Sequence, residues 1–154
     1  MTTEREQKIA AKVAQFPSGM AEGDIADVLN APDTTLPRKR VDVATSEARE
    51  ILLSTGEWGA VVLAAENTAV PQQVRGACIV LRDTIAETSL IRASVPAIYN
   101  ATATLLGGLI LAGVLTEGTR DALMALADVP QSWAEQQGVG TVEIRDIGIA
   151  RGNV

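Results

Sequence analysis

Apolar residues recur three and four positions apart along most of the chain, a spacing that predicts helices rather than strands. Ile9, Val13 and Phe16 share one face of a first helix over residues 3–15, and Glu4, Arg5, Lys8 and Lys12 fill the other face. Pro17-Ser18-Gly19 ends it. A short second helix over 21–29 has Ile25, Val28 and Leu29 as its apolar edge, stopped by Asn30, Pro32 and Asp33. Residues 30–44 form a polar, proline-containing connection. From there the pattern is that of a bundle. Thr45 or Ser46 caps a helix over 46–54, with Glu47 in its first turn and Gly56 at its C-terminal end. Residues 57–66 follow, with Trp58, Val61, Val62 and Ala65 on one stripe. Pro71 opens a helix to about Glu87, where its missing N–H costs least, and Val74, Cys78, Leu81 and Ile85 form its buried face. Ser94 caps an apolar helix over 95–112. Gly113 ends that helix, Thr116 caps the next over 117–127, and a last short helix over 131–137 closes at Gly138.

The C-terminal end changes period. Thr141-Val142-Glu143-Ile144-Arg145 alternates as a short strand does, and Asp146–Ala150 either extends it or forms a turn of helix. The fold expected is mainly α: a helical bundle with a short helical N-terminal arm and, if the alternation holds, a short C-terminal β-strand. The domain divisions expected are an arm over 1–36, a linker over 37–44, the bundle over 45–138 and a C-terminal extension over 139–154.

One stretch requires a membrane test. Residues 93–116 are 24 positions without a charge, long enough to span a bilayer. Asn100, Thr102 and Thr104 dilute the run, and Pro96 and Gly113 limit the helix to roughly 16 residues, or ~24 Å. A fully buried central helix reads the same way and is preferred. The first 16 residues have no apolar core and are not read as a signal peptide.

Composition removes chemistry more than it supplies it. The 154 residues contain no histidine and one cysteine, Cys78. That takes away the commonest general base and metal ligand, as well as any intramolecular disulfide or cysteine-rich metal site. Cys78 lies on an apolar stripe, where a thiol behaves as a small hydrophobe. The carboxylate pairs, such as Asp24 and Asp27, read as solvated faces. Gly138-Val139-Gly140-Thr141 lacks the lysine of a phosphate loop, and Gly107-Gly108 lies within a helix. No catalytic residue, metal ligand, cofactor or small-molecule substrate is expected.

With a net charge of −6 the chain is a poor match for phosphate-driven nucleic-acid binding. The segment from Gly23 to Asn30 resembles the first helix of a helix-turn-helix and precedes Arg38-Lys39-Arg40. Pro32 and Pro37 leave no room for a recognition helix. Arg38 and Arg40 then fit a surface loop whose arginines meet an acidic protein partner or the chain's own carboxylates. Phe16 and Trp133 are expected as core or interface anchors, and Val142, Ile144 and Ile147 as residues that add a strand to a partner's sheet edge.

Three segments taken together resemble a known group: residues 48–65 (AREILLSTGEWGAVVLAA), 74–85 (VRGACIVLRDTI) and 129–152 (VPQSWAEQQGVGTVEIRDIGIARG). They are similar to small, largely uncharacterised proteins encoded in the structural gene clusters of tailed bacteriophages, over roughly residues 44–152. Such chains often carry Ser-Arg-Ala-Glu, then Gly-x-Gly and a final Ala-Arg. The matching positions here are Ser132-Trp133-Ala134-Glu135, Gly138-Val139-Gly140 and Ala150-Arg151, with Trp133 in place of the arginine. The resemblance implies a non-enzymatic virion component of the tail, neck or capsid, present as a homo-oligomer or in repeated copies among other phage structural proteins. The alternatives are a DNA-binding regulator using the N-terminal hairpin with Arg38–Arg40, and a small membrane or lysis protein using residues 95–112.

Overall fold

The computed structural model describes residues 2–153. In chain order the elements are α1 (Glu4–Val13), α2 (Glu22–Asn30), β1 (Pro32–Asp33), β2 (Lys39–Arg40), β3 (Val43–Ala44), α3 (Thr45–Thr55), α4 (Glu57–Glu66) and α5 (Gln72–Glu87). There follow β4 (Leu90–Ile91), α6 (Pro96–Leu111), α7 (Glu117–Ala127), β5 (Asp128–Val129), β6 (Gln131–Ser132), α8 (Trp133–Gln137) and α9 (Ile144–Ala150). The protein is mainly helical, as the apolar period predicts.

The chain divides into two compact units, one built from both ends and the other from the middle. The terminal unit takes residues 2–38 and 130–153. Its core is Ile9 and Val13 of α1, Ile25 and Leu29 of α2, and Val139, Val142 and Ile147 from the C-terminal segment. The N-terminal helices are therefore not a free arm, and residues 130–138 do not belong to the bundle. The physical reason lies in element length. Helices of ten, nine, five and seven residues are each too short to persist alone, and each leaves an apolar edge that only the other end of the chain covers.

Polar ties reinforce that closure. Arg5 donates to both carboxylate oxygens of Asp146 (2.8 and 2.9 Å) and to the carbonyls of Val139 (2.8 Å) and Thr141 (3.1 Å). The Asn30 side-chain amide donates to the Val142 carbonyl (2.7 Å) and accepts from the Val142 N–H (2.9 Å), pairing with that residue as a neighbouring strand would. Arg151 donates to the carbonyls of Met20 (2.6 Å) and Pro17 (3.0 Å). The β1–β6 pair, Pro32 opposite Ser132 and Asp33 opposite Gln131, joins the two chain segments a further time.

The C-terminal alternation does not make a strand. Ile144–Ala150 is helical, with Asp146 accepting from the N–H of Glu143 at its start. The helix turns Ile147 inward and leaves Ile144 58% exposed, whereas a strand through 142–145 would place Val142 and Ile144 on one face. In α2, Val28 is also exposed, contrary to its expected place on the apolar edge.

The central unit, residues 39–129, holds α3 to α7. Its core joins Ala48 and Leu52 of α3, Val61 and Ala65 of α4, and Cys78, Leu81 and Ile85 of α5, with Leu106, Leu109 and Leu115 beyond. The expected stops are in place: Gly56 and Gly113 adopt φ of +77°, a conformation costly for any residue with a Cβ. Thr116 caps α7, accepting from the Thr119 N–H. The cap expected from Thr45 or Ser46 is absent. Thr45 instead is buried and donates its hydroxyl to the Thr88 carbonyl (2.6 Å). Arg49 donates to the Ile85 carbonyl (2.7 Å). Both serve the C-terminal end of α5, which has no basic residue of its own to meet its last carbonyls. Ser94 does not cap α6; its hydroxyl pairs with Asp42. The antiparallel pair β2–β5 closes the unit at its chain ends, and β3–β4 ties its start to the connection between α5 and α6.

Candidate interaction surface

The residues expected at an interface fall into three settings. Phe16, Trp133, Val142 and Ile147 come together, but inside the terminal unit's own core. Val142 is 2% exposed and Ile147 is fully buried. Neither is available to a partner's sheet edge, because the helical turn of α9 and the Asn30 bonds occupy that segment internally. Phe16 and Trp133 are half-buried against the same core. Among the apolar residues expected there, Ile144 faces solvent.

Arg38 lies on the surface of the terminal unit, and Arg40 belongs to the central one. The Arg40 guanidinium stacks 3.6 Å from the centroid of the Tyr99 ring. Its Nε is 3.9 Å from Asp128, to which the Tyr99 hydroxyl donates at 2.6 Å. That hydrogen bond, together with burial, raises the Tyr99 pKa above the usual phenol range. Arg40 therefore meets a carboxylate of its own unit and lies over Tyr99, which packs against the small cluster of Val43, Ala93 and Ala127. Residues 31–44 contain two-residue strands and no helix.

No group of three or more metal-ligating side chains occurs among the described residues. Cys78 is fully buried, and that burial pushes its thiol pKa up, away from the reactive thiolate.

The surface that the apolar pattern did not disclose is on α6. A fully buried central helix was expected there, yet only Leu106 and Leu109 are buried. Ala97, Ile98, Ala101, Thr104, Gly108 and Leu111 all face out, Leu111 at 92% exposure. The helix packs against α5 and α7 along one side only. No helix among the described residues is long and apolar enough to cross a membrane. Between α5 and α6 runs an open groove of about 290 Å³. Val80 and Thr84 form one wall, Ala97, Ile98 and Ala101 the other, and Leu81 and Thr102 the floor. Thr102 donates its hydroxyl back to the Ile98 carbonyl (2.8 Å), so it offers no proton to a ligand. A groove this apolar lacks the convergent polar groups that orient a small metabolite. It matches instead the uncharged centre of a protein–protein contact.

No family model, no curated protein and no solved structure matches the chain.

The motifs of the C-terminal segment have visible structural tasks. Ser132 and Glu135 form a reciprocal cap on α8: Glu135 N–H to Ser132 Oγ (3.1 Å) and Ser132 N–H to Glu135 Oε1 (3.3 Å). Gly138 and Gly140 take positive φ around Val139, which is buried. Arg151 ties the chain end to the α1–α2 connection. Trp133 packs against the terminal unit's core.

Proposed function

We propose that the chain is a non-enzymatic structural component of a tailed bacteriophage particle, in the tail, in the neck or as a capsid accessory protein. On this reading it resides in the virion and acts through contacts with other structural proteins, in repeated copies. The observation that carries the reading is the exposed, uncharged outer face of α6 with its adjoining groove. Apolar surface left exposed costs free energy in a lone chain, and a contiguous uncharged patch of it marks a contact site. The C-terminal motifs that resemble phage structural proteins support the reading from another side, since each has a packing task and none forms a chemical site. Among the described residues, 31–44 hold no helix that could serve the regulator alternative as a recognition helix. The membrane alternative meets an α6 of 16 residues, short of the ~20 that a bilayer needs.

The test is quantitative mass spectrometry of purified particles from the phage that encodes the chain. Hundreds of copies place it in the capsid shell, and a few dozen or fewer, in multiples of three or six, in the neck or tail. Absence from the particle overturns the proposal.

A further inference from the structure

We propose that a hollow between α1 and α8 of the terminal unit binds an acidic sugar, a six-membered ring carrying one carboxylate. The site lies in a different unit from the α6 surface, and the inference goes beyond the assembly reading above.

Three observations carry it. The first is the lining. Lys8, Ala11 and Lys12 of α1, with Gln15 just past its end, surround a space of about 230 Å³ together with Trp133 and Gln137 of α8. The chain has three lysines and four aromatic residues. Two of those lysines and one of those aromatics meet here. An apolar wall with a few convergent polar groups is what orients a small polar ligand, and it is what the α5–α6 groove lacks.

The second is charge. The Lys8 ammonium is already paired with Glu4 at 2.9 Å and reaches the Gln137 carbonyl at 3.4 Å, bridging α1 to α8 at one side of the hollow. Lys12 donates to Gln15 Oε1 at 3.2 Å, a neutral acceptor. Asp33, whose carboxyl feels the Lys12 charge, is itself held by Thr35 (2.6 and 2.9 Å). One positive charge is left over at the rim, and no carboxylate lines the hollow. That balance matches a ligand with a single negative charge. A nucleic-acid strand, with many, is repelled by a chain whose net charge is −6.

The third is the fit of the walls to a sugar. Ala11 is exposed and carries one side-chain carbon, so the hollow stays open, with room for one ring rather than a larger ligand. Trp133 is half-buried, which leaves apolar indole surface for the C–H face of a sugar ring while the rest of it packs on the core. The Gln15 and Gln137 amides each hold a donor and an acceptor, as a ring of hydroxyls requires. Without a pair of carboxylates the site binds a sugar and does not cleave it.

The test is Trp133 fluorescence of the full chain in a Trp58→Phe background, titrated with glucuronate, glucose, acetate and uridine monophosphate. The expected result is a saturable change with glucuronate. Glucose lacks the charge and acetate lacks the ring, so each should bind about fivefold more weakly or worse. Lys12→Gln should weaken glucuronate binding about fivefold. Ala11→Leu, which fills the hollow from an exposed position, should abolish it. Gln136→Ala, exposed on α8 but outside the hollow, should leave it within twofold, with circular dichroism verifying each fold. No saturable change up to about 50 mM glucuronate overturns the inference. Equal binding of acetate, which reports a lysine counter-ion only, overturns it too, as do tighter binding of uridine monophosphate and indifference to Ala11→Leu. These titrations use the purified chain alone, so their failure leaves the virion reading standing.

Discussion

Replacing Ile147 by alanine should strongly destabilise the terminal unit while leaving the central unit intact. Ile147 is fully buried among Ile9, Val13, Ile25 and Leu29. Truncating such a side chain costs about 2–5 kcal/mol, through lost transfer energy and the cavity left behind. The terminal unit has about 60 residues, for which a total stability of roughly 3–9 kcal/mol is ordinary. The substitution therefore removes about a fifth of that stability at the least, and all of it at the upper end of the cost. Each unit contains one tryptophan, Trp133 in the terminal unit and Trp58 in the central one, so fluorescence in a Trp58→Phe background follows the terminal unit alone. With a urea slope near 1 kcal/mol per molar for a unit this small, the Trp133 midpoint should fall by about 2 M or more. Ile144→Ala, three residues earlier on the same helix but 58% exposed, should change stability by under ~0.5 kcal/mol. Equal effects at the two positions, or a Trp133 transition indifferent to Ile147→Ala, would refute both the helical reading of 144–150 and the joining of the chain ends into one unit.

Three further outcomes follow from named groups. The Arg5 hydrogen bonds hold the Asp146 carboxyl below the usual carboxylate range. A carboxylate with a depressed folded pKa stabilises above its unfolded value, near 3.9, and loses that contribution as pH falls through the folded pKa. The Trp133 urea midpoint should therefore drop as pH is lowered below about 4, and Asp146→Asn should flatten that drop. Cys78, buried with its thiol pKa raised, should react with a disulfide reagent at pH 8 only as fast as the central unit opens, and urea should accelerate the reaction in step with the Trp58 signal; rapid stoichiometric labelling of the native chain would contradict its placement. Tyr99→Phe removes the donor to Asp128 (2.6 Å) and should cost about 1 kcal/mol in the Trp58 transition, with the Trp133 transition unmoved.

Helices with at least two turns of clear apolar period were legible from the residues: α1, α3, α4, α5 and α7 lie within a residue or two of the expected bounds. Their ends were marked by local chemistry, as at Gly56 and Thr116, where a φ above zero or a hydroxyl cap is decided by the residue itself. What escaped was not local. The pairing of the two chain ends depends on Asn30 meeting Val142 and Arg5 meeting Asp146, more than a hundred positions apart, and no spacing rule reports such a contact. Helix α9 has seven residues, too few turns to display its own period, so the alternation of 141–145 imitated a strand. Val142 and Ile147 read as interface residues because they are apolar near the chain end, and the same apolarity serves the core. The outer face of α6 escaped for the opposite reason. A helix apolar on all sides is usually buried on all sides, and only the packing of α5 and α7 shows which side is left open.

The claim that the α5–α6 surface is how this chain joins a phage particle is tested most directly by counting copies. Quantitative mass spectrometry would be applied to particles assembled with wild-type, Ile98→Glu or Ile144→Glu chain, each chain first verified as folded. The account predicts incorporation at full copy number for wild type and Ile144→Glu, and severe loss for Ile98→Glu. Full incorporation of Ile98→Glu, or no copies even of the wild-type chain, would contradict it.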